Sequence, residues 1–155
     1  MRVKNWMTMS GVQRKYPPCP LIGVGGLIVD EDRVLVVKRE NEPGRGLWSV
    51  PGGVLELGET TREGAQREIK EETGIDAELN RLLDVIDSIT SDEKGVICYH
   101  YVLVEFLGHP VGGELAAATD VKEASWASLE DLNNLQTTRT LRRLLEKAGL
   151  KKLGG

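Results

Sequence analysis

Residues 53–75 read Gly-Val-Leu-Glu-Leu-Gly-Glu-Thr-Thr-Arg-Glu-Gly-Ala-Gln-Arg-Glu-Ile-Lys-Glu-Glu-Thr-Gly-Ile. The stretch has the form of a loop running into a helix that carries a cluster of carboxylates. Successive helical residues turn by about 100°, so Glu68, Glu71 and Glu72 fall within an arc of about 100°. Like charges at this spacing repel and weaken an isolated helix by a few tenths of a kcal/mol. A divalent cation reverses that sign, and clustered hard oxygen donors suit Mg²⁺ or Mn²⁺. The alternative is a solvated surface helix, with Arg62, Arg67 and Lys70 interleaved to balance the acids.

The ends of the helix are also written in the residues. Thr60-Thr61-Arg62-Glu63 has the capping-box pattern, in which Thr60 accepts from the start of the helix and Glu63 reaches back. Gly74 stands where a left-handed residue closes the last turn. Gly52 and Gly53, just upstream, let the backbone bend and approach a ligand closely.

The spacing Gly53, five residues, Glu59, seven residues, Arg67-Glu68-Ile69, one residue, Glu71-Glu72, one residue, Gly74-Ile75 resembles the signature box of the Nudix hydrolases at every defined position. Seven positions demand one residue type, and at ~7% usage per type a chance match has a probability below ~10⁻⁶. Leu47-Trp48-Ser49-Val50-Pro51-Gly52-Gly53 resembles the family's lead-in, and the order of elements stays compatible from about Leu21 to Leu145.

The resemblance implies a metal-dependent hydrolase that splits a nucleoside diphosphate from another group. It implies Glu68, Glu71 and Glu72 as Mg²⁺ ligands (Mn²⁺ is the other candidate), with the Gly53 carbonyl joining the metal shell. It further implies that Arg67 orients a glutamate, for which Glu59 is the candidate here. Glu56 is either an outer ligand or a loop acid. The general base stays open among Glu71, Glu72, Glu114, Asp120 and Glu123, because family members differ in where they take it. For substrate contacts the candidates are Arg39 and Arg45 for phosphates and Trp48 for stacking on a base. Each has a plainer reading, as a surface charge or as a core tryptophan.

Around the box, 155 residues with 40% hydrophobic and 28% charged content indicate one globular domain. We divide it into an arm at 1–18, a hydrolase domain at 19–150 and a tail at 151–155. A net charge of −4 offers no basic footprint for polymeric DNA or RNA, whereas bound cations allow a small nucleotide. Cys19 and Cys98 lack metal-ligand spacing and are expected to be reduced thiols. No apolar run reaches the length of a membrane span and no signal-peptide core is present, so a cytoplasmic protein is expected.

Residues 21–29 and 33–38 are β-rich runs separated by Asp30-Glu31-Asp32, which predicts a hairpin. Gly23, Gly25 and Gly26 do not complete a dinucleotide fingerprint, and close backbone packing explains them better. Strands are expected near 77–90 and 96–107, the second central in a sheet because it is almost continuously apolar. A loop at 108–120 precedes a short strand ending at Trp126, and Ser128 is placed to cap a helix at 129–134. Leu141, Leu144, Leu145 and Ala148 mark one face of a last helix that stops near Gly149. This mixture predicts the α/β class, as an α/β/α sandwich with a mixed sheet, and the resemblance implies the same fold.

Within the family the chain is similar to short ADP-ribose pyrophosphatases, notably around Gly113-Glu114-Leu115, Asp120 and Ser125-Trp126. It departs from them at Ser91, where a marker proline is common. Asp92 and Glu93 replace the tyrosine that marks dinucleoside polyphosphate enzymes. ADP-ribose is therefore the first substrate expectation and a non-canonical nucleoside triphosphate the second. A non-catalytic nucleotide sensor is the third, disfavoured because every box acid is retained. The resemblance leaves a homodimer open.

Overall fold

The computed structural model describes residues 7–8, 11–116 and 123–150, so much of the arm, Asp120 and the tail lie outside the described residues. The strands are β1 (Met7–Thr8), β2 (Gly11–Val12), β3 (Leu21–Asp30), β4 (Arg33–Lys38), β5 (Trp48–Ser49), β6 (Gly52–Val54), β7 (Ile75–Ser91), β8 (Ile97–Gly113) and β9 (Ala124–Ser128). The helices are α1 (Thr61–Thr73), α2 (Leu129–Asn133) and α3 (Arg139–Lys147).

The main sheet runs β5-β4-β3-β8-β7, with β6 added beside β3 and β9 beside β4. The β3–β8 pair is parallel and its neighbours are antiparallel, which makes the sheet mixed. Adjacent residues of a strand face opposite ways, and β3 shows the result. Leu27 joins a core with Val34, Val36, Leu141 and Leu144 under α3, while Val24 and Ile28 join one with Ala65, Ile69 and Phe106 under α1. Helices thus cover both faces, the sandwich expected from the sequence. Burying a residue such as Ile69, which is 0% exposed, stabilises the packing by about 1.5–3 kcal/mol.

The expected hairpin is formed, with Val29 opposite Val34 and Asp30 opposite Arg33. The glycines of β3 are explained by closeness, since a Cβ on Gly25 would stand 2.4 Å from the Pro51 carbonyl. Ser128 caps α2 as anticipated, in a capping box with Asp131. One boundary differs. Residues 108–113 continue β8, where a loop was expected, because they keep pairing with the start of β7 through Gly113 opposite Ile75. Gly108, Gly112 and Gly113 made that segment read as a loop, but Gly108 serves close strand packing, with Glu78 O 2.3 Å from any Cβ there.

Candidate active site

The carboxylate helix forms as its caps require. Thr60 accepts from the Glu63 amide at 3.1 Å and Glu63 accepts from the Thr60 amide at 3.0 Å. Gly74 closes the other end at φ 83°, its amide donating to the Lys70 carbonyl. Between these caps the acids gather on one guanidinium. Arg67 grips Glu59 with a two-toothed fork, Nε to Oε2 at 2.6 Å and Nη2 to Oε1 at 2.9 Å. Its Nη1 reaches Glu68 Oε1 at 2.7 Å, Glu71 Oε2 at 3.2 Å and Glu56 Oε1 at 3.7 Å. Charge-assisted forks of this kind are the strong class of hydrogen bond. The bond from Arg67 holds the Glu59 carboxyl below its usual range, and Glu59 in turn raises the already high Arg67.

Glu72 points the other way, into the protein. It is 8% exposed, and its Oε2 accepts from the Gly52 amide at 3.2 Å. Gly52, just before the box, and Gly53, its first residue, are what admit these acids. A Cβ on Gly53 would lie 2.3 Å from the Glu68 carboxyl carbon, so only glycine lets that carboxylate rest against the backbone of β6.

Four carboxylates thus surround one guanidinium, and the fifth, Glu72, lies against Gly52. Among the described residues no three Asp, Glu, His or Cys side chains are gathered as a ready-made metal cage, and Arg67 is the cation that Glu59, Glu68 and Glu71 share. The donor set nevertheless fits a hard divalent ion. It is all oxygen and strongly anionic, and it abuts a glycine backbone with no side chain in the way.

Beside β6 opens a cavity of about 450 Å³, and Gly52, Gly53 and Val54 belong to both regions. Its walls come from distant parts of the chain: Arg14, the loop at 39–44, Ser49 and Val50, Ser88 and Thr90 of β7, Tyr101 and Glu105 of β8, and Thr138–Thr140 at the start of α3. Arg14, Arg39 and Arg139 bring positive charge to it, and the hydroxyls of Ser49 and Thr138 meet at 3.3 Å. Burial pushes the Tyr101 phenol up, with Arg14 beside it pulling down. Burial also pushes Glu105, 5% exposed, up to about 8.

The candidates named from sequence divide on this geometry. Arg39 lines the cavity and braces its rim, Nε donating to the Pro43 carbonyl at 2.7 Å. Arg45 does not line it and instead donates to the Glu40 carbonyl. Trp48 does not line the cavity. It packs against the core under α3, while its strand neighbour Ser49 lines the cavity, because adjacent strand residues point apart. Glu114 is exposed beside the C-terminal end of α1, where a Cβ on Gly74 would stand 2.3 Å from its carbonyl. Asp120 lies outside the described residues.

Sequence reasoning missed Arg14, Ser49, Tyr101, Glu105 and Arg139. The only signal for Arg14 was its place before Tyr16-Pro17-Pro18. Tyr16 pins that segment to the β7–β8 turn, its hydroxyl donating to Asp92 at 2.7 Å and its amide to the Cys98 carbonyl at 2.8 Å.

Residues 20–148 match the NUDIX domain model. The chain belongs to the Nudix family. A relative from Methanocaldococcus jannaschii described as ADP-ribose pyrophosphatase is 41% identical over 116 residues, 75% of this chain and 64% of that protein. A human protein described as 8-oxo-dGDP phosphatase is 34% identical over 122 residues, 74% of this chain but 34% of its own length. The chain therefore spans less than two thirds of either Nudix relative. The crystal structure of a MutT Nudix hydrolase from Burkholderia pseudomallei superposes with a TM-score of 0.66 at 32% identity, covering 83% of this chain and 98% of that one. Among the described residues of this Nudix chain no helix is long and apolar enough to cross a membrane.

Proposed function

We propose that this Nudix chain is a pyrophosphohydrolase dependent on a divalent cation, acting on a nucleoside diphosphate linked to a second group. The observation that carries the reading is the junction at Gly52–Val54, where the carboxylate helix meets a cavity edged by three arginines. Glu68, Glu71 and Glu72 would hold Mg²⁺ or Mn²⁺, with the Gly53 carbonyl beside them. The ion supplies charge neutralisation on phosphoryl oxygens and an acidified bound water.

The chain's own residues do the rest. Arg39, with Arg14 and Arg139, offers guanidinium donors that match phosphate oxygens. Arg67 holds Glu59, Glu68 and Glu71 in one geometry, the outer support that ligand carboxylates need. Water adds to one phosphorus as the bridging P–O bond breaks, and the departing phosphate keeps the bridging oxygen. The proton of the attacking water passes to a carboxylate, with Glu71 and Glu72 the nearest candidates. ADP-ribose plus water would give AMP and ribose 5-phosphate, and the 41%-identical relative favours that substrate.

A panel of nucleotides with Mg²⁺, with products separated by chromatography, tests the proposal. AMP and ribose 5-phosphate from ADP-ribose would support it. Release of pyrophosphate from a modified triphosphate would move the substrate to the second reading, toward which the human relative points. If nothing on the panel is turned over, or Glu72→Gln leaves turnover intact, the catalytic reading falls.

A further inference from the structure

One ring in the cavity has no role in the chemistry above. Tyr101 is the only aromatic residue among the described residues that line it. The whole chain has three Trp, three Tyr and one Phe, so an aromatic wall there is not a by-product of composition. Trp48, Trp126 and Phe106 are taken up by the two cores. Tyr101 is the ring left for a ligand.

Its place in the sheet suggests what it meets. Alternation along β8 sets Tyr101, Leu103 and Glu105 on the cavity side, and Leu103 stands opposite Gly23 of β3. A Cβ on Gly23 would lie 3.9 Å from Tyr101 Cδ1 and 3.9 Å from the Gly53 carbonyl oxygen, which keeps these two atoms within about 8 Å of each other. The sugar of a nucleotide bridges a span of that size, between a phosphate at Gly53 and a base against the ring. Tyr101 is also held in advance. Its hydroxyl is hydrogen-bonded by Arg14, and its Cδ1 edge lies toward the floor at Gly23. Neither contact uses a face of the ring. A tyrosine so placed offers a rigid, flat contact area at low cost in conformational entropy.

We propose that Tyr101 is a specificity-determining residue on whose ring the base of the bound nucleotide stacks. The inference rests on the nucleotide-hydrolase reading of the cavity. Every base has a π-face, so stacking separates nucleotides from sugar phosphates without choosing among bases. Arg14 keeps further donors for phosphate, because a guanidinium has five N–H groups.

The test compares AMP with ribose 5-phosphate by titration calorimetry with Mg²⁺, on the wild-type chain, Tyr101→Phe and Tyr101→Ala. The wild type should bind AMP more tightly by at least about fivefold. Tyr101→Ala should weaken AMP about 5–100-fold, the scale of one base on an aromatic side chain, and ribose 5-phosphate less than about twofold. Tyr101→Phe keeps the ring and loses the Arg14 bond, and should hold AMP within about threefold of the wild type. Equal wild-type binding of the two ligands, no wild-type binding of AMP, or equal losses of both ligands in Tyr101→Ala would each overturn the assignment. So would a loss in Tyr101→Phe as large as in Tyr101→Ala, which would give the role to the hydroxyl. If the variants do not fold, NMR of the wild type decides: AMP, and not ribose 5-phosphate, should shift the Tyr101 ring protons upfield, and unmoved protons would overturn the stacking. Failure of wild-type turnover on ADP-ribose, with base-dependent binding intact, would count against the proposed reaction and leave Tyr101 its role. Turnover without base-dependent binding would do the reverse.

Discussion

The carboxylate helix and the cavity beside it share Gly52, Gly53 and Val54, yet they are built by different rules. The helix site is local. Its acids, its organising arginine, its caps and the glycines beneath them lie within residues 52–74. The cavity draws on segments from Arg14 to Thr140 and is closed by strand pairing and by the start of α3. A chemistry that needs several like charges on one arc can be stored in one helix. Recognition of an extended ligand needs donors on several sides, and a single helix cannot supply them. On the proposed function, the comparison assigns reaction and substrate choice to separable parts of this fold.

Substitutions on the two sides should therefore fail differently. The largest effect is expected from Glu72→Gln, which removes a carboxylate proposed to hold the ion and leaves the Gly52 amide an acceptor. We expect kcat to fall about 10²–10⁴-fold, with the melting temperature near that of the wild type. Steady-state kinetics with thermal melting reads both, and a loss confined to KM would break the division.

Next in size is Arg67→Lys, which keeps the charge and loses the fork to Glu59. Activity should fall about 10–100-fold, the range for residues that orient metal ligands. The pH dependence of stability has a definite sign. Glu59 is held below its usual value by the Arg67 bond, so its contribution is present above the ordinary carboxylate pKa and lost as pH falls through the depressed one. Weakening the bond raises that depressed value, and acid unfolding followed by circular dichroism should begin at higher pH in the variant.

On the cavity side, Arg39→Ala should raise KM for ADP-ribose about tenfold while kcat changes less, measured on the same panel. It also loosens the rim, because the Pro43 carbonyl loses its donor. An equal fall in kcat would show that the cavity shares in the chemistry.

The smallest effect is in stability. Glu105 is raised by burial, so its contribution is full below the ordinary carboxylate value and is lost as pH climbs toward about 8. The slope is at most about 1.4 kcal/mol per pH unit for one proton. Arg14, Arg39, Arg139, Glu40, Glu42 and Tyr101 line the same cavity and stay in both proteins. Melting curves of Glu105→Gln and wild type should therefore coincide near pH 4, with the variant a few degrees higher at pH 8–9. Parallel curves across that range would remove the buried acid from the ligand-free state.

How far each region could be read in advance follows from the same division. Thr60, Glu63 and Gly74 act through backbone groups three to four residues away, so the helix ends were legible. The Glu59–Arg67 pair was legible for a related reason, since eight residues of loop and helix bring the two groups together. Trp48 was ambiguous because two residues of strand have no period to show which face is buried, and pairing with β4 decides it. Residues 108–113 looked like a loop because Gly and Pro are weak strand formers, and only the partner β7 holds them extended. The place of Arg14 before Tyr16-Pro17-Pro18 did not reveal its role, since a bond from Tyr16 to Asp92, 76 residues away, puts its segment beside the cavity.

The sequence by itself determined the Nudix family, the carboxylate helix with its caps, and the class of phosphoanhydride chemistry proposed for it. Those properties rest on contacts between residues near one another along the chain, where spacing stands in for geometry. The tertiary structure alone decided that Glu72 turns inward, that Arg39 and not Arg45 faces the cavity, and that a buried acid waits there at Glu105. These depend on which strands lie side by side, and strand order is set by the packing of the whole sheet between its two layers of helices.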